Sequence, residues 1–168
     1  CTWLPWLDGR MTADHPASPV AAGWREWVGL PAFGVEHVKA KLDTGARSSA
    51  LHAFDLDEHV ADGVERVRFA IHPWQRSTAD AVRVDVPVHD RRVVRSSNGT
   101  EQERIVVLAE LRMLGRTIAT EMTLTRRDEM GFRMLVGREA LRQGFLVDAS
   151  RSYLGGRPPR DVRARNRG

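Results

Sequence analysis

Cysteine is nearly absent from this chain of 168 residues: Cys1 is the single one. Intrachain disulfides and thiolate-rich zinc sites are thereby excluded, and a reducing, cytoplasmic setting fits best. Long apolar runs are missing as well, so no segment reads as a bilayer-spanning helix and a membrane partner is not expected. The stretch Cys1 to Arg10 is apolar, but it is too short and wrongly flanked to be expected to act as a secretory signal. Met11 is a plausible natural start, and residues before it are set aside from fold reasoning. The chain has neither a long amphipathic periodicity nor a βαβ rhythm, which argues against helix bundles and doubly wound sheets. It also lacks a His-Glu-x-x-His helix and a Gly-x-x-x-x-Gly-Lys-Ser/Thr loop.

What is present suits a globular domain: 42% hydrophobic and 29% charged residues. The formal charge of +4 is unevenly spread. Six arginines from Arg151 to Arg167 face only Asp161 in the last twenty residues, a local +5 that leaves −1 for the rest. The basic character therefore belongs to the tail. The body lacks the interleaved aromatic and basic residues of an RNA-binding sheet, so nucleic acid is not an expected partner.

Three segments are expected: a disordered N-terminal stretch over 1–20, a folded domain over 21–148, and a basic disordered tail over 149–168, where Gly155-Gly156 and Pro158-Pro159 break any period. Within the domain, short β-type runs follow one another: Trp24 to Leu30, ended by Pro31; His37 to Leu42; Ser49 to Leu56; Val64 to Ile71; Ala81 to Val88. Arg92 to Arg95 and Glu103 to Leu111 flank Asn98-Gly99, a strong hairpin signal. Leu114-Gly115-Arg116 marks a second hairpin. Arg138 to Gln143 reads as a helix with Gly144 at its C-terminal cap, and Phe145 to Asp148 closes the domain as a strand. The pattern is all-β, a barrel or a sandwich.

Asp43 ends an alternating strand and precedes Thr44-Gly45. An aspartate at a strand end, in a turn that Gly45 permits, can present its carboxyl to a cleft, while the Thr44 hydroxyl can bond to a partner loop. Aspartic proteases need two such carboxyls so close together that they share one proton, one acting as base on water and the other as acid to the substrate carbonyl. The same tripeptide also suits an ordinary strand-to-turn transition. Downstream, Met134-Leu135-Val136-Gly137-Arg138 runs apolar residues into Gly-Arg and a short helix, with the Asn98-Gly99 hairpin between as a candidate flap.

That order resembles retroviral-type aspartic proteases. Gly23 to Val28, Ala40 to His52 and Glu129 to Arg138 together resemble the bacterial family called ATP-dependent zinc proteases. The resemblance implies a retropepsin-like closed barrel of short antiparallel strands with one short C-terminal helix over roughly 22–148. It implies a peptidase with catalytic Asp43, Thr44 and Gly45, acting on peptide or protein substrate, and association with ATP-grasp ligases that add glutamates to a ribosomal protein. The single Asp-Thr-Gly implies a homodimer that brings Asp43 to its mate. Ala46, Arg47, Asn98 and Gly99 are candidate substrate-binding residues, and Gly137 and Arg138 candidate supports. Arg47 stands where retroviral proteases carry an acidic residue; it suits either an acidic or glutamylated substrate or an interface salt bridge. The zinc of the family name finds little support here. His15, His37, His52, His59, His72 and His89 are scattered without i, i+4 spacing, so no cofactor is expected and no metal ligand is assigned. The remaining readings are a catalytically idle binding module working with an ATP-grasp ligase and a zinc-dependent peptidase.

Overall fold

Alternation of apolar and polar side chains sets most of the strands. In Val35–Leu42 the buried positions are Val35, Val38, Ala40 and Leu42, with Glu36 and Lys41 exposed. In Glu101–Met113, residues Val107, Ala109, Leu111 and Met113 point inward and Leu108, Glu110 and Arg112 outward. Such a period of two is what a sheet with one wet face requires.

The computed structural model describes residues 18–95, 98–126 and 131–167. Its strands are β1 (Val20–Gly23), β2 (Arg25–Leu30), β3 (Val35–Leu42), β4 (Ser49–His52), β5 (Phe54–Ala61), β6 (Val64–Ile71), β7 (Val82–Pro87), β8 (Asp90–Arg95), β9 (Glu101–Met113), β10 (Arg116–Thr125), β11 (Met134–Val136) and β12 (Phe145–Asp148). Its helices are α1 (Arg138–Leu141) and α2 (Arg160–Arg167), and Pro31–Phe33 forms a single tight helical turn. The main sheet runs β10-β4-β11-β3-β2-β9-β8, and β10 also pairs with β9. Each of the six strands β10, β4, β11, β3, β2 and β9 therefore has two neighbours within that set, with β2 and β9 joined at the one register pair Gly29↔Arg112. A three-stranded sheet β5-β6-β7 and a two-stranded sheet β1-β12 complete the architecture. Leu30, Val38, Leu51, Phe69, Leu111, Met113, Met122 and Met134 make up much of the core.

The β-rich class and both hairpins agree with the sequence reading: β8 and β9 pair antiparallel across Asn98-Gly99, and β9 and β10 across Leu114-Gly115. Several expectations need correction. The sheets are mixed, because β1–β12, β4–β10 and β3–β11 are parallel pairs. Those pairs join segments far apart in sequence, whereas hairpin signals reveal only antiparallel neighbours. The single strand expected over Ser49 to Leu56 is two, with Ala53 between them bonded through its amide to the Thr125 carbonyl (3.0 Å). The helix after Gly137 is one turn, ending at Leu141.

The termini also differ from expectation. Of the segment 1–20, residues 1–17 lie outside the described residues, and Val20 already pairs with Phe145 in β1–β12. The tail expected to be disordered from residue 149 is built onto the domain. The Trp24 amide donates to the Arg151 carbonyl (3.0 Å) and the Tyr153 amide to the Arg25 carbonyl (3.0 Å). Glu26, fully buried, holds this strap. Its Oε2 accepts from the amides of Gly23 (2.8 Å) and Leu154 (2.9 Å), and its Oε1 from Gly155 (2.9 Å). A side chain at position 23 would meet the Arg151 carbonyl oxygen at 2.6 Å, so only glycine lets the strap lie so close. Beyond it, α2 docks through buried Asn166, whose Oδ1 accepts the Gln75 amide (2.9 Å) and whose carbonyl accepts the Arg76 amide (3.3 Å). Local composition marked this segment as polar and breaker-rich; its backbone partners lie about a hundred residues away, where composition carries no signal.

Removing Glu26 leaves three amide donors without their acceptor. Glu26→Ala is expected to lower the unfolding free energy by about 3 kcal/mol in a urea titration and to open the 151–157 strap to limited proteolysis.

Candidate active site

Asp43 is the first residue past β3. Its amide donates to the Val136 carbonyl at the end of β11 (2.8 Å), so the strand pairing of β3 with β11 continues one residue into the turn. The turn then closes on itself: the Ala46 amide donates to the Asp43 carbonyl (3.2 Å), and the Gly45 amide donates to Asp43 Oδ1 (3.0 Å). The second bond fixes one oxygen of the carboxyl and leaves the other for a partner. Asp43 is half-buried, and Thr44 and Gly45 are exposed beside it.

The second turn, Gly137 into α1, is laced to the first. The Arg138 amide donates to the Ala46 carbonyl (2.7 Å) and the Glu139 amide to the Arg47 carbonyl (3.0 Å). These are amides of the helix's first turn, which have no partner within the helix. The Arg138 guanidinium reaches the Thr44 carbonyl (3.3 Å). Buried Ser49 accepts the Gly137 amide on its hydroxyl (3.0 Å). A Cβ at position 137 would lie 2.4 Å from the Ser48 carbonyl carbon and 2.9 Å from the Ser49 nitrogen, so the crossing demands glycine. Residues 43–47 and 137–138 thus form one bonded unit, although nearly ninety residues of chain, 48–136, separate them.

Asn98 and Gly99 stand apart on the β8–β9 connection. Both are exposed, Gly99 has φ +85°, and Asn98 Oδ1 accepts the Thr100 amide (3.2 Å); residues 96 and 97 of this connection lie outside the described residues. The arginines leading into it are engaged in ion pairs. Arg91 meets Glu58, Glu65 and Glu103; Arg92 meets Glu121 (2.7 Å) and Asp90 (3.0 Å); Arg95 meets Glu101 (2.7 Å). Exposed Arg47 makes no ion pair among the described residues, and it lines a cavity with Ser48, Glu139, Gln143, Thr120 and Glu121.

Three aspartates that lack a following Thr-Gly, Asp85, Asp148 and Asp80, have structural partners. Asp85 bonds Arg66 and Arg68 and sits 3.3 Å from His59; the Arg66 hydrogen bond is the main cause holding its carboxyl below the usual range. Asp148 is held low chiefly by the Ser150 hydroxyl (2.6 Å), and Asp80 accepts the Trp74 indole N–H (2.9 Å). The zinc in the family name fits the histidines poorly. His52 is buried, with the Phe54 and His72 rings stacked 6.3 and 6.0 Å from its own, and His89 bonds Glu121. Among the described residues no three of His, Cys, Asp and Glu converge to hold a metal ion. Sequence reasoning missed Ser49 and Glu139. Ser49 follows Ser48 in an otherwise ordinary strand start, and only the approach of Gly137 gives it a task.

An Asp-Thr-Gly-Ala turn at a strand end, cross-bonded to a Val-Gly-Arg turn within a β-rich fold, has the form of a retropepsin-like domain. The chain belongs to the RimB-like family, described as retropepsin-like aspartic endopeptidase RimB, whose family model matches residues 21–158. Relatives that carry the name "Probable alpha-L-glutamate ligase" include one from Shewanella pealeana, 42% identical over 131 residues, and one from Desulfotalea psychrophila, 37% identical over 126. These matches take in 78% and 75% of this chain but 29% and 27% of those proteins, so the chain spans under a third of their length. The crystal structure of a Legionella pneumophila protein of unknown function superposes with a TM-score of 0.69 at 23% identity, covering 82% of this chain and 99% of that one. That likeness shows the fold alone.

Because the Cβ of residue 137 has nowhere to go, Gly137→Ala is expected to cost about 3 kcal/mol of unfolding free energy. Ser49→Ala, which removes one buried acceptor, is expected to cost about 1–2 kcal/mol. Urea denaturation of both variants checks the order.

Proposed function

We propose that this chain is a peptidase that hydrolyses peptide bonds by the aspartic mechanism, with Asp43 paired to its mate in a homodimer. The observation that carries the reading is the Asp43-Thr44-Gly45 turn at a strand end, with half-buried Asp43 holding one carboxyl oxygen on the Gly45 amide and the other left open. One turn per chain supplies one carboxyl, so a two-fold dimer is the arrangement that completes the pair. Two carboxyls at that range share a proton. The ionised one takes a proton from water as its oxygen adds to the scissile carbonyl carbon, and the protonated one donates to the carbonyl oxygen. Collapse of the resulting diol breaks the C–N bond, and the amine leaves with a proton. The same reading takes the ring of six paired strands as a closed barrel and places the protein in the cytoplasm.

Acidic or glutamylated proteins are the proposed substrates. Arg47, exposed and without an ion-pair partner among the described residues, adjoins the turn, and relatives carry the name "Probable alpha-L-glutamate ligase". Ala46 beside it, and Asn98 and Gly99 on the hairpin acting as a flap, are the proposed further contacts. A second reading is a non-catalytic module that works with an ATP-grasp ligase. It is favoured by the occurrence of a similar segment within longer proteins named as glutamate ligases.

Cleavage of glutamylated and plain acidic peptides separates these readings. Asp43→Asn is expected to lower kcat/KM by about a thousandfold or more, with chelator leaving the wild type unchanged. Loss with chelator alone would shift the reading to a metal peptidase, and wild-type inactivity at every pH would favour the binding module. A strict monomer in sedimentation, with substrate present, would overturn the shared dyad.

A further inference from the structure

Away from the Asp43 turn, the C-terminal strap and α2 gather positive charge around two aromatic rings. Trp27 from β2, Lys39 from β3, Tyr153 and Arg157 from the strap, and Arg163, Asn166 and Arg167 from α2 line a single small cavity of about 120 Å³. Four of these seven residues are cations and none is a carboxylate. On β6 and β8, by contrast, Arg66, Arg68, Arg91, Arg92 and Arg95 all pair with carboxylates. None of Lys39, Arg157, Arg163 and Arg167 does so among the described residues.

Their partial compensation is aromatic. Lys39 Nζ lies 5.6 Å from the Trp27 ring centroid and 5.7 Å from that of Tyr153, and the Arg25 and Arg157 guanidiniums lie 5.0 and 5.2 Å from the Tyr153 ring. That leaves hydrogen-bond donors in excess. Arg163 Nε is buried without any acceptor. The Asn166 Oδ1 is taken by the Gln75 amide, so its NH2 remains as a donor. Like charges converging on one cavity, with an orphaned buried N–H, are costly unless an anion enters.

We propose that this cavity is a binding site for a phosphoryl group, either inorganic phosphate or the phosphate of a nucleotide. A dianion offsets more of the converging charge than a single carboxylate does, and guanidiniums meet its oxygens with paired N–H donors. A single-stranded nucleic acid suits the site less well, because the Tyr153 ring is already attended by three cations and offers no bare platform for a base. The site stands independently of the reading of Asp43. It is linked to it through β3, which carries Lys39 and leads into the Asp43 turn: Lys39 precedes Asp43 by four residues, about 13 Å along an extended chain.

Isothermal titration of the full chain with inorganic phosphate, with ADP and with hexaglutamate, each against chloride at equal ionic strength, tests the proposal. Saturable binding of phosphate or ADP is expected, weakened about tenfold by Arg163→Gln and unchanged by Arg165→Gln, on the same helix but outside the cavity. Stronger response to ADP than to phosphate would name the nucleotide as the source; the reverse would name free phosphate. Arg157→Gln, on the exposed strap, is expected to weaken binding as well and decides the matter if Arg163→Gln does not fold. Absence of binding above the chloride background, hexaglutamate binding in place of phosphate, or equal weakening by Arg165→Gln would overturn the proposal.

Discussion

The crossing of two turns is the constraint on which the site depends. Asp43 is aimed by backbone bonds that come from the other end of the domain: Val136 accepts its amide, and Ala46 and Arg47 accept the first amides of α1. Gly137 and Ser49 lock the crossing from beneath, one by having no side chain and the other by offering a buried acceptor. Each bond is modest, but each also satisfies a buried or helix-terminal group that would otherwise be orphaned. The turns therefore position each other, and neither has its shape without the parallel pairing of β3 with β11.

Glu26 plays a similar part on β2, which flanks β3 on the side away from β11. Its carboxyl gathers three amides, from Gly23 before the strand and from the strap at Leu154 and Gly155. The strap then delivers Tyr153 to Trp27 and leads on to α2, which is pinned by Asn166 to the loop after β6. The cluster of cations at this flank exists because the strap is ordered. A free arginine-rich tail would disperse its charge in solvent; a docked one concentrates it in a cavity.

The legible parts of the sequence were local. Alternation in Val35–Leu42 and Val64–Ile71, the Asn98-Gly99 and Leu114-Gly115 turns, and Pro31 as a strand stop all act within a few residues, so they show in the chain itself. Asp43-Thr44-Gly45 and Gly137-Arg138 could be singled out for the same reason, because each is a motif of adjacent residues. Ser49, Glu139, Glu26 and Asn166 left none. A buried glutamate in Trp24-Arg25-Glu26-Trp27 has the same letters as an exposed one, and its role appears only when a segment some 128 residues away is laid against it.

By itself the sequence determined a β-rich domain, the positions of its hairpin turns and the place of the Asp-Thr-Gly motif, because side-chain period and short motifs are properties of neighbouring residues. The tertiary structure alone decided the parallel pairings, the bonding of one turn to the other and the docking of the arginine-rich tail. Those outcomes depend on which distant backbone groups satisfy each other's hydrogen bonds once they are buried, and that matching does not exist until the chain has folded.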